Sequence, residues 1–295
     1  MNLSNFGMDS ITLAGPLESK LAASKAVGFS QIMLWAKDLA SHPGGLSEAV
    51  RVVRASGVRV TGIQVMRDYE GLTGPLHEYK LDIAKNMLQV CQAVGAPLLM
   101  VCSSTSSHAS GDMPLIARQL AKLATLAVPL GVKVGFEALS WGRHINQYEQ
   151  SWAAVEMADH SNLGVVIDSF HMLANRANLE NLEDIPSHKI AMVQLSDFMW
   201  RDIRSAEERL ETARHLRVFP GEGIHSSELS ELLRRLDKNG YRGDFSFEVF
   251  NDDYLQLSPE IVARRAHAAA KWVTDQVLRR SLNMRLPVPG HPMMA

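Results

Sequence analysis

Four polar residues stand where apolar runs stop. Glu137 closes VKVGFE (132–137), Asp168 closes LGVVID (163–168), Gln194 sits near the end of IAMVQL (190–195), and Glu248 interrupts DFSFEVF (244–250). Three carboxylates and one carboxamide are hard oxygen donors, and three carboxylates brought together repel one another unless a cation lies between them. The set suits a divalent ion such as Mg²⁺, Mn²⁺ or Co²⁺, with water completing an octahedron; Zn²⁺ would prefer more His or Cys. Taken singly, each residue could equally be a strand-end polar group reaching solvent or pairing with a lysine. Four in the same register on consecutive strands favour the ion.

His171 follows Asp168 by three residues in VVIDSFHML. Alone it would be a helix-start or packed histidine. Beside a metal site it becomes a candidate general base, tuned by a nearby carboxylate. His144, seven residues after Glu137 in EALSWGRH, is a second candidate, with a plain loop histidine as the alternative. Arg67 and Arg217 could clamp a carboxylate or phosphate, or form surface ion pairs. Trp141 is expected to wall the cavity. His160, His188, His215 and His225 read as surface-loop residues.

Eight β-rich runs must position these groups: 10–14, 31–35, 58–66, 98–102, 132–137, 163–168, 190–195 and 244–250. Helical patterns with apolar residues at three/four spacing separate them, as in LESKLAASKAV and IARQLAKLATLAVPL. Gly28, Gly57, Gly95 and Gly131 each close such a pattern just before the next strand, as a C′ glycine does. Several strands are apolar throughout, as parallel strands covered on both faces should be. The expected fold is α/β, a single-domain (β/α)₈ TIM barrel over 1–280 with a frayed tail at 281–295. In such a barrel, chemistry sits at the C-terminal ends of the strands. A doubly wound sheet is the rival, but no Gly-rich phosphate fingerprint follows strand one. The stretch from Ser196, about 30 residues, reads as a long ordered lid.

The 295 residues, 46% hydrophobic and 21% charged, suit one soluble globular domain with a sizeable core. Net charge is −2 with no Lys/Arg block, which argues against a nucleic-acid partner. No apolar run reaches the roughly 18 residues a membrane helix needs. The start, MNLSNFGMDS, lacks the basic and apolar regions of a signal peptide, so a cytoplasmic protein is expected. Cys91 and Cys102 are expected as reduced, packed thiols. The stretch FMW at 198–200 could line a pocket or a subunit contact, the latter making a homo-oligomer.

RDYEG (67–71), LLMVCSS (98–104), GFEALSWGRHIN (135–146), LGVVIDSFHML (163–173), VQLSD (193–197), RVFPGEG (217–223) and FSFEVFND (245–252) run in order through most of the chain. With them the sequence resembles the xylose-isomerase-like barrels of sugar isomerases, epimerases and dehydratases, and among these the bacterial 3-dehydroshikimate dehydratases. The resemblance implies one divalent metal ion on Glu137, Asp168, Gln194 and Glu248. It implies catalytic or substrate-binding roles for His171, His144, Arg67, Ser103 and Arg217. The amide at Gln194 is similar to the dehydratases, where epimerases often carry histidine. Two stretches depart from the pattern. Met33-Leu34-Trp35-Ala36 stands where the dehydratases show an acidic end similar to EIFE, and the loop with Phe198, Met199 and Trp200 looks longer.

The implied chemistry begins with proton abstraction α to a carbonyl. The metal would act as a Lewis acid, His171 or His144 would take the proton, and Arg67 or Arg217 would hold a substrate carboxylate. Loss of a β-hydroxyl makes a dehydratase, and from 3-dehydroshikimate the product would be protocatechuate. Return of the proton elsewhere makes a keto-sugar or inosose isomerase or epimerase. DNA-repair endonucleases share the barrel but carry more His ligands and a basic groove. A non-enzymatic binding barrel would not need the four ligands.

Overall fold

In the computed structural model, which describes residues 3–278, eight parallel strands close on themselves. They are β1 Phe6–Asp9, β2 Gln31–Trp35, β3 Arg59–Arg67, β4 Leu98–Cys102, β5 Lys133–Glu137, β6 Leu163–Asp168, β7 Ile190–Leu195 and β8 Phe245–Phe247. β8 pairs with β1 through Phe6↔Phe245 and Met8↔Phe247, which completes the barrel. Gly28, Gly57, Gly95 and Gly131 have φ of 92°, 70°, 73° and 68°, the left-handed region expected of them.

Side chains alternate across each strand. Leu99, Val101, Val134, Phe136, Val165, Ile167, Val193 and Leu195 join one core with the surrounding helices. Met33, Leu98, Met100, Val166 and Met192 form a separate cluster inside the barrel. Gly135 makes room for it, since a Cβ there would stand 2.8 Å from Val166 Cγ2. Each plug side chain contributes about 1.5–3 kcal/mol by burial. Two residues further along the same strands, and so on the same inner face, come Trp35, Cys102, Glu137, Asp168 and Gln194. An apolar plug thus supports a layer rich in polar groups.

Two sequence expectations need correction. The first strand is Phe6–Asp9; SITLA at 10–14 instead begins with a 3₁₀ turn over Ser10–Thr12. The long segment after Ser196 contains a ten-residue helix, Ala206–His215, held by a capping box between Ser205 and Glu208. The tail at 281–295 lies outside the described residues. Both cysteines are free and buried, and no helix among the described residues is long and apolar enough to cross a membrane.

Candidate metal centre and active-site cavity

Asp168 ends β6 and starts the short helix Ser169–Ala174. Its Oδ1 accepts the Phe170 N–H at 2.8 Å, capping that helix. One turn on, His171 returns to the same side, with Nε2 3.6 Å from Asp168 Oδ2 and 3.8 Å from Glu137 Oε1. The D-x-x-H spacing is therefore a cap plus one helical turn. Candidate ligand atoms of Glu137, Asp168 and His171 all lie within 4.8 Å of one another, and all three residues are buried.

The His171 ring is held from both sides. Trp141 meets it edge-on at 5.0 Å and Phe170 at 5.3 Å. The Ser140 N–H donates to Nδ1 at 3.1 Å, which places the ring proton on Nε2, the atom facing the carboxylates. Burial pushes the imidazole down to about 3, against the pull of Asp168, so the ring is neutral at neutral pH.

Gln194 and Glu248 complete the layer. Gln194 lies opposite Asp168 across β6 and β7 and opposite Ser246 across β7 and β8. Its Nε2 donates to Asp9 Oδ2 at 2.6 Å, leaving Oε1 buried without a partner. Arg217 Nη1 donates to Asp168 Oδ2 at 2.7 Å and to Glu248 Oε2 at 3.0 Å, and Nε donates to the Ala213 carbonyl. Burial and neighbouring carboxylates push Glu137 and Glu248 well above the usual carboxylate range, with Arg217 opposing the shift.

These observations test whether a cation fits. Asp168 and Glu248 share one buried guanidinium, Asp9 and Glu137 are buried acids that repel them, and the Oε1 atoms of Glu137 and Gln194 are buried without a hydrogen-bond partner. Orphaned oxygens among mutually repelling carboxyls are what a hard divalent ion would satisfy.

Above this floor opens a cavity of about 440 Å³. Trp35, Trp141, Leu139 and Phe250 supply apolar wall; Glu137, Glu248 and His171 reach it from below. Arg67 lines it too, and its guanidinium makes no hydrogen bond or ion pair among the described residues. Lys20 also faces the cavity, but its Nζ is held by Asp38 Oδ1 at 2.8 Å. Trp35, which stands in the departing stretch of β2, has Lys37 Nζ 5.1 Å and Lys20 Nζ 6.0 Å from its ring centroid. The indole and two ammonium groups occupy a place where the sequence resemblance led us to expect an acidic side chain.

Other expected residues fall elsewhere. His144 does not line the cavity: its Nε2 bonds the Ala109 carbonyl at 2.9 Å, under Gly111, so the strand-five loop turns it away. Ser103 lines the cavity, but its Oγ accepts the Leu139 N–H at 3.0 Å and so holds the strand-five loop. Arg217 is a carboxylate clamp whose partners are the protein's own acids. His225 is not a surface residue; it is buried, with Nδ1 2.8 Å from Asp197 Oδ1 and Phe198 tilted against its ring. Phe198 is accordingly packed, beside Phe170, and Met199 is exposed.

Besides Asp197, two buried acids were not evident from the sequence. Asp9 ends β1, and its signal is the same as Asp168's: an apolar run, FGM, closing on aspartate. Glu70 is buried and accepts the Ser104 N–H, while its Oε2 has no partner. Burial raises its carboxyl from 4.5 to about 7. A folded value above the unfolded one means that ionisation opposes folding. The contribution is present in full below 4.5 and is lost as pH rises to 7, about 3 kcal/mol in all. Glu70→Gln is therefore expected to flatten the pH dependence of stability. Urea unfolding of both proteins at pH 5 and pH 8 should show the variant gaining on the parent at the higher pH; a constant difference would refute this.

A family profile described as xylose isomerase-like TIM barrel matches residues 21–276. The chain belongs to that family. It is 36% identical to the 3-dehydroshikimate dehydratase of Pseudomonas putida over 283 residues, covering 95% of this chain and 43% of the relative. The chain thus spans less than half the length of that curated relative. It is 31% identical to the inosose isomerase of Halalkalibacterium halodurans over 204 residues, 68% of either chain. The crystal structure of the IOLI protein with a bound zinc atom superimposes with a TM-score of 0.80 at 21% identity, covering 92% of this chain and 99% of that one. That likeness speaks to the fold.

Proposed function

We propose that the chain is a divalent-metal-dependent dehydratase that converts 3-dehydroshikimate, or a closely related carboxylated keto-polyol, to its dehydrated product. The observation that carries the reading is one cavity combining an acidic, ion-suited floor with an unpaired arginine on its wall. The kinship with a 3-dehydroshikimate dehydratase supports it.

Glu137, Asp168, Gln194 and Glu248 would hold the ion. When bound, it would polarise the ketone and stabilise the charge developing on its oxygen. Arg67 takes the substrate carboxylate. Trp141 and Trp35 flank the ring and exclude water. A carboxylate of the floor takes the proton α to the carbonyl, and His171, whose ring proton sits on Nε2, gives that proton to the departing β-hydroxyl and regains one from the carboxyl group. Loss of the β-hydroxyl as water, followed by tautomerisation, gives an aromatic catechol acid. Arg217 holds Asp168 and Glu248 in place throughout.

A neutral inosose has no carboxylate for Arg67. Arg67→Gln is therefore expected to raise KM for 3-dehydroshikimate about 10- to 100-fold with kcat within about threefold. Steady-state kinetics on 3-dehydroshikimate and on a keto-inositol, side by side, tests the proposal. Turnover of the keto-inositol alone, insensitive to Arg67, would replace the dehydratase reading with an isomerase.

A further inference from the structure

An amide can present either end to a metal ion, and only its oxygen is a good ligand for one. We infer that Asp9 is a positioning residue that fixes the orientation of the Gln194 amide and so makes Gln194 an oxygen donor. This rests on the proposed role of Gln194 as a ligand.

Asp9 is fully buried at the end of β1, across the barrel seam from β8. Both of its oxygens accept hydrogen bonds: Oδ1 from the Ser246 hydroxyl and Oδ2 from Gln194 Nε2 at 2.6 Å. Gln64 Oε1 stands 3.5 Å from the same Nε2. Rotating the amide by half a turn would set Gln194 Oε1 against the Asp9 oxygen, losing the 2.6 Å hydrogen bond, and would put an NH₂, which is no ligand for a cation, where Oε1 now stands. The bond to Asp9 is what holds one orientation, since the neighbouring Gln64 amide can turn to suit either. The outcome is visible in the buried, unpartnered Oε1. Ser246 in turn fixes the carboxylate, so the chain of control runs Ser246, Asp9, Gln194, ion. Asp9 acts here as a hydrogen-bond acceptor; its own oxygens are already occupied.

The test is Mn²⁺ binding to metal-stripped protein, measured by calorimetry and by the loss of the free-Mn²⁺ paramagnetic resonance signal. Asp9→Leu is expected to weaken binding about 10- to 100-fold, the range for loss of a group that orients a ligand. Asp9→Ser, whose hydroxyl is too short to reach Gln194, should lose as much and covers the case in which the leucine variant does not fold. Asp9→Asn should stay within about threefold, because its oxygen can still accept from Gln194 while its NH₂ donates to Ser246. In a Gln194→Ala background, Asp9→Ser should cost nothing further. If Asp9→Asn binds as poorly as Asp9→Ser, or if the loss persists without Gln194, Asp9 acts on the ion directly and the inference is overturned. If Gln194→Ala alone binds Mn²⁺ as tightly as the parent, the ligand assignment itself falls.

Discussion

Glu137→Gln is expected to empty the site of its ion and to cut kcat/KM by 10³ or more. Glu137 is buried at the end of β5, and its Oε1 has no hydrogen-bond partner. In the proposed chemistry, that oxygen would be an ion ligand. Glutamine keeps the shape and removes the charge, so packing is nearly unchanged while the anionic donor is gone. The apo protein should even gain stability, since Glu137 repels Asp168 and Glu248 in the absence of a cation. Metal content by mass spectrometry, turnover and thermal melting read these three effects separately. A variant that keeps both stoichiometric metal and turnover would show that Glu137 is not a ligand.

His171→Ala is expected to lower kcat about 10²- to 10⁴-fold while metal content stays at the parent level. The two readouts matter together, because His171 Nε2 lies close enough to Glu137 and Asp168 to be a ligand itself. Its environment argues for proton exchange. The ring is buried, neutral and clamped between Trp141 and Phe170, with Nε2 facing the cavity floor. A catalytic group costs rate when removed; a ligand costs metal. Loss of metal in step with activity would move His171 into the coordination sphere and leave the proton transfer without an assigned residue.

Several residues of the candidate site were legible because barrel strands are buried on both faces. In such strands a charged residue after an apolar run is conspicuous, as at Glu137 and Asp168. Asp9 obeyed the same rule but was hidden: β1 is four residues long, contains a glycine, and is followed by SITLA, a better-looking strand that forms no strand. The helix Ala206–His215 was hidden by its polarity; only Ala213 and Thr212 are buried, so no apolar period marks it. The S-x-x-E spacing of Ser205 and Glu208 was the available signal. His144 and His225 failed for another reason. Loop histidines carry no periodicity, so sequence gives their distance along the chain and not the direction in which the backbone turns them. His144 ended on a carbonyl, His225 on a buried aspartate.

Metal-dependent dehydration of a carboxylated keto-polyol in this cavity can be followed by ultraviolet absorbance when metal-loaded and chelator-treated protein are each incubated with 3-dehydroshikimate. A rise of the catechol-acid band in the loaded sample, absent after chelation and restored by adding Mn²⁺, is the predicted result. No rise from protein confirmed to hold stoichiometric metal would contradict it.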